Sequence, residues 1–294
     1  MGVSDGALSA AVSEAGGLGT VSTATFGPEG TRKEIAKIRE LTQKPFALNM
    51  PIFHPQTPRL VDIAIEEGVK IVTTAAGSPD KYTQRLKDAG ITVIHVVSSV
   101  RTAMKAQDAG VDIIVAEGVE SGGKVSPDEV PTLSLIPQVV DVVKIPVAAA
   151  GGFADGRGLL AALALGAQGV QMGTRFIATD EAPVHANWKK VLVNAGDAST
   201  AVACRKSSPT RLIRNEFFAE LDAQDQPGKK AMDYMMIQGA GMAKIPNDAE
   251  GTQGNYTAGA GAGLIHEVAP AAQVIAKIMA EAEAQLAALE GLRG

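Results

Sequence analysis

Two residue pairs in the middle of the chain have the type and spacing to grip an anion: Gly151-Gly152 and Gly173-Thr174. Main-chain N–H groups reach an anion only where no Cβ stands in the way, and glycine removes that obstacle. Each pair closes a short apolar run, Val147 to Ala150 and Gln168 to Met172, which reads as a buried parallel strand. Between them Asp155-Gly156 opens a helix with Leu159, Leu160 and Leu163 on one face, and Gly166 ends it. In an eight-stranded α/β barrel the loops after strands seven and eight are the usual phosphate cradle. Two glycine-ended strands separated by one helix fit that place. The plainer alternative is that Gly151, Gly152 and Gly173 only make tight turns.

Other polar residues sit where strands end. Asn49 falls in the run Phe46 to Met50, ahead of a loop marked by Pro51, Pro55 and Pro58, where a side-chain turn bond is its ordinary use. Glu117 ends Asp112 to Glu117 and reads equally as a plain strand-end charge. His54, His95, His185 and His266 are too scattered for metal-ligand spacing and read as packing or surface residues. Cys204 has no nucleophile context.

The elements that must position these residues repeat one grammar of helix, glycine, strand. Leu60, Val61, Ala64 and Ile65 share a helical face, Gly68 follows, and Val69 to Thr74 is a strand. Tyr82 to Ala89, Gly90 and Ile91 to Val97 repeat it, as do Val100 to Ala109, Gly110 and Val111 to Glu117. Earlier, a helix over Asp5 to Ala15 precedes a strand from Leu18 to Ser22, and Ala36 to Leu41 ends another helix. A further helix opens at Thr132, with Leu133, Ile136, Val139, Val140 and Val143 at helical spacing and Pro137 inside. Repeats at roughly twenty-residue intervals imply parallel strands with helical crossovers, an α/β TIM (β/α)8 barrel.

Seven strands can be counted, and an eighth would lie before the first helix, where only Met1 to Ser4 stand. The first strand is therefore expected to be missing or truncated. After Arg175 the pattern changes. Glu181 to Asn194 and Thr210 to Ala223 read as helices, and residues 239–263 as a long glycine-rich loop of the kind that forms lids. Pro270 introduces a closing helix, Ala271 to Leu289, with Val274, Ile275, Ile278, Met279 and Leu286 available for packing. The division expected is a barrel of residues 1–176 and 262–294, and a lid of residues 177–261 over the substrate site.

The 294 residues, 46% of them hydrophobic, suffice for one large core. A net charge of −5 without a basic stripe argues against nucleic acid. A single cysteine rules out an internal disulfide framework and suits a reducing cytoplasm. No apolar stretch approaches a bilayer span, and no export signal is visible at the start.

At AGGLGT (15–20), FALNM (46–50), AEGVESGG (116–123), AAGGFADGRG (149–158), LALGAQGVQMGTRF (163–176) and AGLI (262–265) the chain resembles the FMN-dependent nitronate monooxygenases. That family includes related flavin enoyl-ACP reductases and NAD(P)H:quinone reductases. The resemblance implies a barrel holding FMN at the C-terminal ends of its strands. Gly151, Gly152, Gly173 and Thr174 would take the phosphate, Asn49 and Glu117 would touch the isoalloxazine or ribityl portion, and Gly122-Gly123 would let the chain pass close to it. It further implies a monomer or homodimer acting on a small molecule, a nitronate, quinone or enoyl thioester, with NADH or NADPH as a possible reductant.

One departure bears on chemistry. Lys124 stands where relatives carry histidine after the paired glycines. A neutral imidazole accepts a proton near pH 7, whereas an ammonium with a pKa of about 10.4 donates or attracts anions. Lys124 is therefore expected to hold an anionic nitronate or steady the reduced flavin, unless it pairs with Asp128 or Glu129 on the loop. Ala260, where relatives often have glutamine, puts one flavin contact in question. Two other readings remain open: a colourless barrel that binds a phosphate ligand for non-redox chemistry, and a relative that binds ligand without turnover.

Overall fold

The computed structural model describes residues 2–291. Its first half alternates strand and helix: α1 (Gly6–Glu14), β1 (Gly19–Ser22), α2 (Thr23–Leu41), β2 (Phe46–Pro51), α3 (Thr57–Glu66), β3 (Ile71–Ala75), α4 (Thr83–Asp88), β4 (Thr92–Val97), α5 (Val100–Asp108) and β5 (Ile113–Glu117). A two-residue strand, β6 (Gly123–Lys124), precedes α6 (Thr132–Val142), β7 (Val147–Ala150), α7 (Gly156–Ala164) and β8 (Gly169–Gln171). Seven of these strands pair in parallel in the order β1-β2-β3-β4-β5-β7-β8, a curled half-barrel of TIM type with β1 and β8 at its edges. All seven coincide with the strands expected from the glycine-ended apolar runs.

Alternation along the strands divides two apolar layers. Leu48, Met50, Val72, Val93, Ile114, Ala116 and Ala149 face the helices and join Leu60, Ile63, Leu86, Leu135 and Ile136 in the main core. Ile71, Ile94, Val96, Ile113, Val115, Ala148 and Ala150 fill the inside of the curl. Asn49 pairs with Thr73, which pairs with Ile94, and Glu117 pairs with Ala150, which pairs with Gln171. Asn49 and Glu117 therefore point inward, at the C-terminal rim. Strand and helix are set close by small residues. A Cβ on Gly19 would stand 1.8 Å from the Ser9 carbonyl oxygen of α1.

Past β8 come α8 (Thr174–Ile177), α9 (Ala186–Val193), β9 (Thr200–Ala203), β10 (Thr210–Ile213), α10 (Glu216–Ala223), α11 (Met235–Lys244) and α12 (Ala271–Glu290). β6, β10 and β9 make a small antiparallel sheet. α12 lies along α7, burying Val274, Ile278 and Ala282 against Leu159. Among the described residues no helix is long and apolar enough to cross a membrane.

Several sequence expectations need correction here. The helix expected over Thr210 to Ala223 is a strand, β10, followed by α10, and its partner β9 was not foreseen. Four-residue strands joined by a tight turn give too little alternation to register. Cys204 holds a φ of +57° at that turn, which a β-bridge pattern does not announce. The loose loop expected over residues 239–263 begins inside α11. Its glycines serve packing, since a Cβ on Gly241 would lie 2.3 Å from the Phe217 ring. Leu133 and Leu163, expected on buried faces, are exposed, as are Met279 and Leu286 of α12. The helix expected from Glu181 begins only at Ala186, and the Glu181 carboxylate instead accepts from Ala271 N at 3.0 and 3.1 Å, capping α12. Met1, of the expected truncated start, lies outside the described residues, and Ser4 O accepts from Ser22 N at the rim end of β1.

Candidate functional site

The rim collects the residues singled out in sequence. Gly151 and Gly152 follow β7 with φ of +103° and +83°, conformations that side chains of L-residues rarely adopt. The N–H groups of Gly151, Gly152, Gly173 and Thr174 donate to no protein acceptor among the described residues. A Cβ on Gly173 would meet nothing within 4 Å, and the residue is exposed. The Thr174 hydroxyl accepts from Gly259 N at 2.9 Å, tying the overlying loop to the rim.

That loop is brought down by further close approaches. A Cβ on Gly122 would lie 2.6 Å from Gly259 N, and one on Gly261 2.6 Å from the Gly152 carbonyl oxygen. Ala260 N donates to Glu120 O at 2.8 Å, which is what the structure shows of Ala260. Gly122 therefore stands main chain to main chain against Ala258 and Gly259, while Gly261 stands against the rim itself.

Asn49 and Glu117 lie on the inner face with different surroundings. The Asn49 side chain makes no hydrogen bond among the described residues; its carbonyl accepts from the Thr23 hydroxyl at 2.7 Å. The turn bond considered in sequence is not made, and the amide is free. Glu117 keeps partial solvent contact, yet burial between the strand walls pushes its carboxyl up to about 7, opposed more weakly by the nearby Ser121 hydroxyl. The Ser121 hydroxyl is buried, and no partner of good geometry stands beside it.

Lys124 pairs with neither Asp128 nor Glu129. Its ammonium donates to the Ser208 hydroxyl at 2.7 Å, Glu129 is taken by Arg205, and desolvation lowers the Lys124 pKa. Sequence reasoning missed two neighbours. Glu120 accepts from Thr132 N and from the Thr132 hydroxyl at 2.9 and 2.7 Å, fixing the start of α6 under Gly151, whose carbonyl lies 3.0 Å from the same hydroxyl. Arg211 of β10 donates to Val119 O at 2.9 Å and to the Thr200 hydroxyl at 3.2 Å. Glu120 sits three residues past the strand end and twelve before Thr132, a separation that no local motif marks, and Arg211 was hidden in a segment read as helix.

His54 lies in the rim loop just after β2, where its Nδ1 accepts from Gln56 N at 3.4 Å, and the other histidines lie apart from the rim. His95 is buried on the helix side of β4, 2.7 Å from the Thr74 hydroxyl, and burial lowers its pKa to about 4. His185 Nδ1 accepts from Asn187 N at 3.2 Å at the start of α9. His266 lines a cavity of about 420 Å³ outside the barrel, between α7 and α12. Cys204 is buried, and burial with Asp225 and Asp222 pushes its thiol up to about 11, so it is a poor nucleophile.

Main-chain donors without protein acceptors among the described residues at two adjacent rim loops, with polar side chains on the inner face, define an α/β half-barrel with a donor-lined mouth. A family model described as nitronate monooxygenase matches residues 1–281, and the chain belongs to that family. It is similar to a (3aS,4S,5R,7aS)-5-hydroxy-7a-methyl-1-oxo-octahydro-1H-indene-4-carboxyl-CoA dehydrogenase of Rhodococcus jostii, 38% identical over 216 residues, 73% of this chain and 61% of that protein. It is also similar to a probable nitronate monooxygenase of Staphylococcus saprophyticus, 33% identical over 265 residues, 74% of each chain. The chain thus spans less than two thirds of the length of the first of these relatives.

Among solved structures, FabK from Thermotoga maritima superposes with a TM-score of 0.91 at 40% identity, covering 99% of this chain and 92% of that one. Nitroalkane oxidase from Streptomyces ansochromogenes gives a TM-score of 0.89 at 27% identity, covering 98% and 94%. The family and these neighbours are flavin-dependent oxidoreductases.

Proposed function

We propose that the chain is an FMN-dependent oxidoreductase of nitronate monooxygenase type, oxidising alkyl nitronates with O2. The observation that carries the reading is the set of four main-chain N–H groups, at Gly151, Gly152, Gly173 and Thr174, without protein acceptors. A dianionic phosphate offers the acceptors those donors lack. The orphaned Ser121 hydroxyl and the free Asn49 amide fit a ligand with several polar atoms on the inner face. A bound flavin would supply the electron transfer between substrate and oxygen.

The chain's own residues do the rest. Gly122-Gly123 and the loop 258–261 close over the rim and exclude water from the mouth. Glu117, with its carboxyl raised to about 7, holds a proton near neutrality and donates a hydrogen bond that an ordinary carboxylate could not. Lys124 keeps a positive charge and attracts an anion, so the substrate is a preformed nitronate rather than a neutral nitroalkane awaiting a base. Residues 177–261 act as the lid, and the barrel comprises residues 1–176 and 262–294.

The second reading, an NAD(P)H-dependent reductase of quinones or enoyl thioesters, is favoured by the likeness to FabK and to a CoA-ester dehydrogenase. Anaerobic reduction of the FMN-loaded protein by NADH, NADPH and a nitronate in parallel separates the two. Rapid bleaching by the nitronate alone supports the first reading; bleaching by a nicotinamide alone supports the second.

A further inference from the structure

A half-buried guanidinium with no carboxylate beside it needs an explanation, and Arg211 is in that position. Arg32, Arg39, Arg59, Arg85, Arg157 and Arg205 each pair with an aspartate or glutamate. Arg175, the other withdrawn arginine, spends its donors on the carbonyls of Ala178 and Glu267. Arg211 makes only two bonds, to Val119 O and the Thr200 hydroxyl, which leaves three of its five N–H groups without a protein acceptor among the described residues. Glu120, the carboxylate with the largest electrostatic effect on it, has its oxygens committed to Thr132.

The small sheet explains where those donors go. Gly123 and Val202 stand opposite Arg211 on either side, so all three share one face with Ile213. Ile213 packs with Tyr256, Ala258, Ala154 and Ile177, which places this face toward the barrel rim and the loop over it. Lys124 stands opposite Thr210 and shares the other face with Leu212 and Ala203, the face covered by Phe217 and Leu221. Having no side chain, Gly123 leaves room beside the guanidinium. Of the two cations on this sheet, Arg211 is the one turned toward the mouth.

We infer that Arg211 docks a bidentate oxoanion at the barrel mouth. The shared chemistry is a pair of oxygens on one atom. A nitronate group presents them in a plane, as a carboxylate does, and a cofactor phosphate presents them at a tetrahedral centre. The guanidinium fork matches both with parallel N–H donors, which a lysine ammonium cannot do. Which of the two occupies it rests on the flavin–nitronate reading above; that an oxoanion binds does not.

The test uses the full chain, flavin-free and FMN-loaded, with Arg211→Gln and Arg211→Lys. Arg211→Gln removes the charge and keeps one donor for Val119 O, so its fold is checked by a melting temperature alongside Arg211→Ala. Inorganic phosphate and propionate, a carboxylate shaped like a nitronate, are titrated by thermal shift, and propionate again by perturbation of flavin absorbance. Loss of a charge-assisted bond predicts about tenfold or more weaker binding of a probe in Arg211→Gln, with partial recovery in Arg211→Lys.

A loss confined to propionate, with FMN affinity intact, assigns the site to the substrate; a loss of phosphate and FMN together assigns it to the cofactor tail. Unchanged binding of both probes in folded Arg211→Gln, or no binding of either by the wild type, overturns the inference. Nitronate turnover by the wild type is measured separately. Its absence would defeat the monooxygenase reading while Arg211-dependent propionate binding still stood.

Discussion

Replacing Glu117 by glutamine should stabilise the flavin-free protein at pH 8 and leave it nearly unchanged at pH 4. The carboxyl faces the inside of the curl with no cation near it, and its pKa rises from 4.5 to about 7. The folded chain then holds a proton over that interval which the unfolded chain has released. Stability therefore falls as pH rises through the window from 4.5 to 7, and the cost is complete above it. A shift of that size corresponds to roughly 3 kcal/mol, at about 1.4 kcal/mol per pKa unit. For a chain this long that is roughly 5 °C in melting temperature. Glutamine has the same shape without the charge, so the cost disappears. Melting curves of wild type and Glu117→Gln between pH 4 and 8, without flavin, would show the two diverging upward from about pH 5. A difference independent of pH, or a less stable variant at pH 8, would refute the assignment of Glu117 as a buried neutral acid. Ser121→Ala should widen the divergence, because its hydroxyl favours the ionised form.

Gly173→Ala should keep the wild-type melting temperature, since its Cβ meets nothing, yet weaken FMN binding by crowding the cradle, as fluorescence quenching would report. Gly152→Ala should lose both, because the residue holds a φ of +83° and its Cβ would lie 3.2 Å from the Glu120 side chain. Gly19→Ala should abolish soluble folded protein, with a Cβ driven to 1.8 Å from the Ser9 carbonyl, and circular dichroism would show it. Lys124→Ala should raise KM for a preformed nitronate and leave the slow rate on the neutral nitroalkane untouched. Equal effects on the two substrates would remove the anion-attracting role of Lys124.

What sequence revealed about this chain follows from the range over which each signal acts. The seven parallel strands are buried on both faces, so they stand out as continuous apolar runs, and the helix-ending glycines Gly90 and Gly166, at φ of +72° and +94°, punctuate them. Rim residues at strand ends, Asn49, Glu117 and the glycine pairs, inherit that clarity. The register of β5 with β7 then turns Glu117 inward without further information. β9 and β10 did not inherit it. They are four residues each, and besides pairing with each other β10 pairs with β6, whose Lys124 lies 86 residues before its Thr210 partner. No local pattern encodes that contact. The same distance hid Arg211, because the face it presents is decided by a two-residue strand.

The segment proposed as a lid is an interlock rather than a hinge. Its contacts with the rim are main chain against main chain: a Cβ on Gly259 would stand 2.7 Å from Glu120 O, and one on Gly263 2.9 Å from Gly196 O. Ala260 N donates to Glu120 O, and Gly259 N to the Thr174 hydroxyl at 2.9 Å. Contacts of this kind exist in one register only, because no flexible side chain can give way. A sequence rich in glycine and alanine between residues 254 and 263, which on composition alone suggests freedom, is here what permits close seating. Thr174 is the point where this bears on function. Its hydroxyl, by accepting from Gly259, holds the loop beside the amides that would take the phosphate. Thr174→Val, equal in shape and lacking the acceptor, leaves Gly259 N without a partner. It should therefore loosen the loop and lower FMN affinity together, whereas Thr174→Ser should preserve both. Faster hydrogen exchange at residues 257–261 in Thr174→Val, with FMN affinity unchanged, would separate loop seating from cofactor binding and break the link argued here.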